Sequence, residues 1–298
     1  MATGTVDSLT STAAGMADDR GLDTPYPLTE EQIRSVHEHG WAKIPGLLSK
    51  EVAAQIRDTL LAIPSRDLLS GPDKPPMDAS VLMMHEAVAW SNPCLKRVAT
   101  SPRVGGAIAG LMRQPEAVFV QDLSFFKPVG SIDTPYHQDF SYWPFDREGC
   151  LSFWIALEDM EPEMGVLRYL EGSHREGPLG YIERRDIRDA YPQLWDAKVV
   201  GGESMKAGDA QAHWGLTVHG STKNMGNARR SALALRYHRT DVVYTGLAHP
   251  HYDSFKLTPG KRFVESPDFW RVGPNGLIEG EPEDLVAGDT GGKNWGRS

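Results

Sequence analysis

The sequence predicts a mainly β fold with flanking helices: a jelly-roll core of two sheets, with N-terminal helices packed against one of them. Two observations support this prediction. Short segments of strand character recur at close spacing between about residues 117 and 240, separated by turns rich in glycine and proline. The first third of the chain instead carries the start and stop signals of helices. The chain has no internal repeat, so we expect one domain rather than an array.

Four helices are predicted in the N-terminal part, about residues 28–113. Thr29 and Gln32 have the spacing of a capping box, and Gly40 is placed to end the first helix. The remaining helices share a serine or asparagine at the N-cap, twice followed by proline: Ser49, Asn92-Pro93 and Ser101-Pro102. The stretch 64–80 is rich in proline and glycine, and we expect a loop there.

The strand segments begin after Pro115. In VFVQDLSFFK, residues 118–127, alternation places Gln121, Leu123, Phe125 and Lys127 on one face. The other segments of strand character end at turns and lie at about residues 151–157, 166–170, 198–206, 210–219 and 231–238.

The domain boundaries follow from these patterns. We expect a disordered tail of small residues over 1–23 and a single domain over 24–298. Within that domain, the helical part at about 28–113 precedes a core at about 117–240. Residues 241–298 have little periodic signal and are predicted to form a loop-rich extension.

Composition excludes several classes of function. The formal net charge is −9 and no dense basic patch is present, so we expect no nucleic-acid or membrane partner. No apolar stretch reaches 18 residues, and residues 1–20 lack the features of a secretory signal. The two cysteines, Cys94 and Cys150, form neither a disulfide framework nor a metal pair. These features favour a cytoplasmic protein, and they do not indicate an oligomeric state.

The segment PYHQDFSYW, residues 135–143, contains a possible half of a metal site. On a regular strand, His137 and Asp139 would point to the same face and could reach one ion. His219 lies 80 residues after Asp139 and ends a strand-like segment, so it is the candidate third ligand. Two histidines and one carboxylate are the facial triad of non-haem Fe(II). His213 is the rival third ligand, but it lacks the Gly-Ser that follows His219.

An arginine that could bind the carboxylate of a cosubstrate follows the triad in the sequence. Arg230 comes 11 residues after His219, across a turn that also contains Ser221. A 2-oxoglutarate cosubstrate would need a cation for its distal carboxylate, and the planar fork of arginine suits this task. Arg229 is the alternative anchor, although its side chain would point to the opposite face of the sheet.

An ordered series of motifs resembles the phytanoyl-CoA dioxygenase family over roughly residues 28–240. The motifs are HQD (137–139), FWIAL (153–157), MGVLRYLEGSH (164–174), AGD (207–209), VHGSTKN (218–224) and RRSALALRY (229–237). The resemblance implies a double-stranded β-helix, cupin-like core. It also implies an oxidoreductase that uses Fe(II), 2-oxoglutarate and O2.

The resemblance also implies roles for particular residues. It makes His137, Asp139 and His219 the catalytic iron ligands. It places the residues that bind the cosubstrate at Arg230, Ser221, Trp154, Gln121 and Lys127. From the residues alone, Trp154 could instead belong to the core, and Gln121 and Lys127 could be solvated strand residues.

Two turns depart from the family pattern. The usual Asn-Gly is Met164-Gly165, and the usual Pro-Gly-Ser-His is Glu171-Gly172-Ser173-His174. Both changes affect local turn geometry rather than chemistry. Relatives that chlorinate usually lack the carboxylate found here at Asp139, so the resemblance disfavours halogenation.

These features predict hydroxylation of an unactivated C–H bond in a small, partly apolar molecule, with secondary metabolism as the expected setting. The same chemistry could give desaturation, epimerisation or ring closure. Two other classes remain: a jelly roll that binds a small ligand without catalysis, and a zinc hydrolase using the same three ligands. The sequence leaves open the substrate and whether His85 or the extension after residue 240 contacts it.

Overall fold

A computed structural model describes residues 21–63, 83–180 and 185–280. Within these ranges the helices are α1 (Glu30–His39), α2 (Lys50–Leu61), α3 (Pro93–Ala99) and α4 (Pro102–Met112). The strands are β1 (Trp41–Ile44), β2 (Met83–Glu86), β3 (Ala117–Lys127), β4 (Thr134–His137), β5 (Cys150–Ala156), β6 (Leu167–Leu170), β7 (Val199–Gly201), β8 (Ala210–Trp214), β9 (His219–Ser221), β10 (Arg230–His238), β11 (Trp270–Gly273) and β12 (Gly276–Ile278). None of the described helices has the length and apolar character needed to cross a bilayer.

The four helices begin at the predicted caps. Thr29 accepts a hydrogen bond from the Gln32 backbone, and the Gln32 side chain accepts one from the Thr29 backbone, which completes the capping box. Gly40 ends α1 in the left-handed conformation, at φ 84°. The side chains at the other three N-caps accept backbone hydrogen bonds as expected; they are Ser49, Asn92 and Ser101.

Two antiparallel sheets form the core. The major sheet has the order β1-β8-β5-β10-β3-β11-β12, with β2 also paired to β3, and the minor sheet has the order β4-β9-β6-β7. One face of the major sheet packs on the helices, because Phe119, Ile155 and Leu233 share a buried cluster with Val36 and Ile56. The mainly β jelly-roll prediction, with helices on one sheet, is therefore confirmed.

The opposite face of the major sheet carries several of the predicted site residues. In the register of β3 and β10, Gln121 lies opposite Arg236, and Lys127 lies opposite Arg230. Because side chains alternate along a strand, this face of β10 reads Arg230, Ala232, Ala234, Arg236. Two small side chains thus separate two arginines, which leaves room between them.

The C-terminal extension is more regular than the sequence predicts. Residues 270–272 of β11 pair with residues 117–119 of β3, and β12 pairs with β11. Strands of four and three residues give too little alternation to be recognised from sequence. At the other end, Leu22 is buried in the core, inside the expected tail of residues 1–23. The predictions for residues 1–20, 64–80 and 281–298 lie outside the described ranges.

Asp122 on β3 holds the short 3-10 helix that follows β2 and provides a test of the fold. Its buried carboxylate accepts hydrogen bonds from the backbone N–H groups of Val88 and Ala89, each at 2.9 Å. We expect Asp122→Ala to lower the free energy of unfolding by about 2 to 3 kcal/mol, because two buried donors lose their acceptor. Asp58→Ala, in an exposed ion pair, should change it by less than about 0.5 kcal/mol. Urea unfolding measures both, and equal effects would contradict this account.

Candidate metal centre

Three potential metal ligands converge at the edge of the minor sheet. His137 ends β4 and His219 begins β9, and the two lie directly opposite each other in the antiparallel pairing. Asp139 follows two residues after His137. The donor atoms of the three side chains lie within 4.8 Å of one another. Asp139 Oδ1 is 3.6 Å from His137 Nε2 and 4.0 Å from His219 Nε2.

The local geometry at His137 and Asp139 differs in one detail from the expected strand end. β4 stops at His137, and Asp139 begins a short 3-10 helix. Gln138 between them keeps an extended backbone, with φ −104° and ψ 132°, so both flanking side chains turn to the same side. The buried Gln138 amide secures the turn, because Nε2 donates to the carbonyl of Leu216 at 2.7 Å and Oε1 accepts from the Leu179 N–H at 2.8 Å.

Backbone carbonyls fix the tautomers of both histidines. His137 Nδ1 lies 2.9 Å from the carbonyl oxygen of Pro135, and His219 Nδ1 lies 2.9 Å from that of Thr217. A carbonyl only accepts hydrogen bonds, so each Nδ1 carries the proton and each Nε2 presents a lone pair to the site. Burial and the neighbouring imidazoles hold the pKa of His219 well below its ordinary value, which keeps this ring neutral.

Asp139 is ionised although it is buried. Burial alone would raise the pKa of its carboxyl, but the charge of the neighbouring Arg236 guanidinium holds the pKa well below its ordinary value. Arg236 Nη2 donates to Asp139 Oδ2 at 3.2 Å, so the other oxygen, Oδ1, faces the two histidines. The carboxylate is thereby oriented with one oxygen in an ion pair and one toward the site.

Arg236, which is not among the predicted site residues, contacts the centre directly. Arg236 also donates through Nη1 to Gln121 Oε1 at 2.6 Å. Strand alternation indicates its position, because Arg236 stands six residues after Arg230 on a strand and must share its face.

His213, the rival third ligand, lies beside the centre but faces it differently. Its Nε2 is 3.7 Å from Asp139 Oδ2, beyond hydrogen-bond range and on the oxygen that Arg236 holds. Its Nδ1 lies 3.4 Å from the Tyr169 hydroxyl. His219 instead faces Oδ1, the oxygen that also faces His137.

The start of β10 separates the two candidate arginines. Arg230 is buried, with its guanidinium 5.1 Å from the centre of the Trp154 ring. Arg229 is exposed and lies over Phe126 instead, on the other face of the sheet. Burial lowers the pKa of Arg230 to about 10, so it remains a cation near neutral pH.

A second basic side chain is buried near Arg230. Lys127 Nζ donates to Ser221 Oγ at 2.8 Å and to the carbonyl of Thr222 at 2.6 Å. Burial, followed by the charge of Arg230, lowers the pKa of Lys127 to about 7. Ser221 lies on β9, two residues after His219, so the two basic side chains lie next to the metal donors.

One cavity of about 430 Å³ connects these groups. Its lining includes all of the predicted site residues except Lys127: His137, Asp139, His219, Arg230, Ser221, Trp154 and Gln121. His85 is not in the lining, because its neighbours Met84 and Glu86 take the cavity-facing positions of β2. The C-terminal extension does reach the cavity, through His249.

The turn at Met164-Gly165 accommodates its departure from the family pattern. Gly165 has φ 77°, and a Cβ at this position would lie 2.4 Å from the carbonyl oxygen of Thr222. The glycine is therefore the residue that this turn requires, whereas Met164 packs into a buried cluster.

The donor set fits a ferrous ion. Two neutral imidazoles and one carboxylate form the open facial arrangement of non-haem Fe(II), whereas structural zinc sites are closed by four protein ligands. Among the described residues, this is the only group of three potential ligand side chains within reach of one ion.

Two histidine variants distinguish the ligand from its neighbour. We expect His219→Ala to weaken Fe(II) binding by at least about 100-fold, because it removes a donor atom. His213→Ala should weaken it by no more than about tenfold, since His213 faces the other oxygen of Asp139. Anaerobic equilibrium dialysis measures both affinities. A larger loss in His213→Ala would identify His213 as the ligand instead.

Known proteins resemble this chain in sequence and fold. Phytanoyl-CoA dioxygenase 1 of Oryza sativa subsp. japonica is 29% identical over 167 residues, which cover 53% of this chain and 57% of the rice protein. Ectoine dioxygenase of Stutzerimonas stutzeri (strain A1501) is 28% identical over 237 residues, covering 72% and 78%. The non-heme alpha-ketoglutarate-dependent carbocyclase SnoK from nogalamycin biosynthesis has a TM-score of 0.69 at 24% identity, covering 83% and 97%.

The extent of these matches differs. The chain spans less than two thirds of the plant phytanoyl-CoA dioxygenases, 57% of the rice protein and 60% of the one from Arabidopsis thaliana. The likeness to SnoK concerns the fold.

The sequence profile of the family described as phytanoyl-CoA dioxygenase (PhyH) matches residues 36–232, more than half of the 298 residues. The chain therefore belongs to the phytanoyl-CoA dioxygenase family.

Proposed function

We propose that this protein is an Fe(II)- and 2-oxoglutarate-dependent dioxygenase that hydroxylates an unactivated C–H bond of a small, partly apolar molecule. One observation carries the proposal: three metal donors and a buried arginine open into the same cavity. A simple binding protein would need neither an oriented carboxylate nor imidazoles with fixed tautomers. A zinc hydrolase would leave the buried Arg230 without a role.

In this proposal His137, Asp139 and His219 hold the iron. With 2-oxoglutarate and O2, bound ferrous iron supplies the oxidising chemistry, in which the cosubstrate becomes succinate and CO2 and one oxygen atom enters the product. The protein supplies orientation. Arg236 holds Asp139 Oδ2, so Oδ1 is the oxygen available on the side of the histidines.

Arg230 binds the distal carboxylate of 2-oxoglutarate. Its fork can make paired charge-assisted hydrogen bonds, and its Nε has no partner among the described residues. Lys127 holds Ser221 next to this end of the cavity through its hydrogen bond to the hydroxyl. Trp154 forms an apolar wall beside the guanidinium, which excludes water and strengthens the ion pair. Both amide ends of Gln121 are occupied by Arg236 and Glu86, which favours a positioning role for Gln121.

The remainder of the cavity suits a small molecule with apolar surface. Its volume of about 430 Å³ falls within the usual range for small-ligand sites. Met84, Leu123, Tyr142 and Trp143 lie on its walls, and such side chains bind apolar and aromatic groups. The name of one relative, ectoine dioxygenase, also refers to a small molecule.

Adjacent arginines provide a matched test of cosubstrate binding. We expect Arg230→Gln to raise the KM for 2-oxoglutarate by about 100-fold, because a buried charge-assisted contact is lost. Arg229→Gln should change this KM by less than about twofold, since Arg229 is exposed on the other face. Iron-dependent succinate formation measures both values. Equal effects in the two variants would contradict the assignment of Arg230.

The reaction class needs a separate measurement. Anaerobic addition of 2-oxoglutarate to the Fe(II) protein should give a weak visible metal-to-ligand absorption band. Absence of this band, together with absence of iron-dependent succinate formation, would contradict the enzyme assignment and favour a non-catalytic binding protein.

A further inference from the structure

One carboxylate on the cavity wall takes no part in the proposed metal centre. Glu86 ends β2 and lies opposite Leu123 of β3. Its side chain is 30% exposed and lines the cavity that contains the metal donors. A partly buried carboxylate on a largely apolar wall loses hydration, so its presence requires either a structural partner or a ligand.

The structural partner occupies only one of its oxygens. Glu86 Oε1 accepts a hydrogen bond from Gln121 Nε2, and Gln121 Oε1 accepts one from Arg236. Because Arg236 can only donate, it fixes the Gln121 amide with Nε2 toward Glu86. Among the residues of the described ranges, none forms a hydrogen bond with Glu86 Oε2. This oxygen remains available as an acceptor.

No described cation neutralises Glu86 directly. Arg236 directs its two terminal nitrogens to Asp139 and Gln121, and Gln121 stands between it and Glu86. His251 Nδ1 lies 3.6 Å from Glu86 Oε1, but His251 Nε2 pairs with the carbonyl of Val120, so Nδ1 presents a lone pair. Burial lowers the pKa of His251 to about 4, so this ring is neutral near pH 7.

His249 adds a donor to the same cavity. Its Nδ1 accepts a hydrogen bond from the backbone N–H of His251 at 3.2 Å, so the neutral ring carries its proton on Nε2. The cavity therefore has two chemically distinct ends. Arg230 lies at one end, and the acceptor Glu86 lies toward the other end, beside Gln121.

We propose that Glu86 determines substrate specificity by accepting a hydrogen bond from a hydroxyl or protonated amine on an otherwise apolar substrate. The reaction itself rests on the proposed dioxygenase function. A carboxylate or phosphate head group at this position would face a like charge and bind more weakly. Glu86 touches the substrate head group, whereas Gln121 and Arg236 act as positioning residues.

Three probes that differ only in their head group test this assignment: phenethylamine, 2-phenylethanol and phenylacetate. The full chain is loaded anaerobically with Fe(II) and 2-oxoglutarate, and titration calorimetry gives the dissociation constant of each probe. We expect the amine and the alcohol to bind at least about tenfold more tightly than the carboxylate, as for hydrogen bonds to a charged group. The ratio of the amine to the alcohol shows which of the two donors Glu86 prefers.

Variants separate the role of Glu86 from a general effect. Glu86→Gln should reduce the preference for the amine over the carboxylate by about tenfold, and Glu86→Asp, which keeps the charge, should retain most of it. Glu203→Gln, at an exposed glutamate that pairs with Lys43, should match the wild type. Equal affinity for the three probes, no measurable binding of the amine and alcohol, or an unchanged preference in Glu86→Gln overturns the proposal.

The same titrations distinguish this proposal from the function on which it rests. The visible band with Fe(II) and 2-oxoglutarate should persist in Glu86→Gln, because Glu86 is not a proposed ligand of either. Loss of that band in the wild type would contradict the dioxygenase function alone. Probe titrations of the metal-free protein would then still report on head-group preference at Glu86.

Discussion

A buried ion pair between Asp139 and Arg236 joins the two sheets at the candidate site. Asp139 follows β4 of the minor sheet, and Arg236 lies on β10 of the major sheet. Removing both charges from water costs several kcal/mol, so a buried pair of this kind is weak evidence for stability. The pair has a clear effect on the orientation of the Asp139 carboxylate. Arg236 engages Oδ2, which directs Oδ1 to the side where His137 and His219 present their lone pairs.

Strand register distributes the chemistry around this pair. The pairing of β4 with β9 sets His137 against His219, although 82 positions of sequence numbering separate them. The pairing of β3 with β10 sets Lys127 against Arg230 at one end and Gln121 against Arg236 at the other. A slip of one residue in either pairing would move every one of these side chains to the opposite face. The geometry of the site is therefore specified by the same hydrogen bonds that form the sheets.

The sequence predicts the features that depend on neighbouring residues or on alternation along a strand. The helix caps, such as Thr29 with Gln32, are local, and the structure has them as expected. The choice of Arg230 over Arg229 followed from alternation, which also placed Gln121 and Lys127 on one face. The same rule places Arg236 on the face of Arg230, six residues further along β10.

Other features lie on segments too short to show a recognisable sequence pattern. β2 and β11 have four residues each, and both pair with β3, from which they are far apart in sequence. Short strands with distant partners show little alternation, and their pairing depends on the whole fold. Glu86 reaches the cavity on β2, and His249 reaches it from the loop between β10 and β11, so neither could be placed from sequence.

The two parts of the proposed site come from different regions of the chain. Metal donors and cationic groups belong to strands of the jelly-roll core and to the turn after β4. Glu86 comes from β2, before the core, and His249 comes from the extension after it. β2 and β11 occupy successive parts of the same edge of β3, which brings these outer segments together. Because β2 pairs only with β3 among the described strands, residues on β2 can change without altering the pairings that set the metal donors. On this basis, substrate preference can vary within the family fold while the reaction chemistry stays the same.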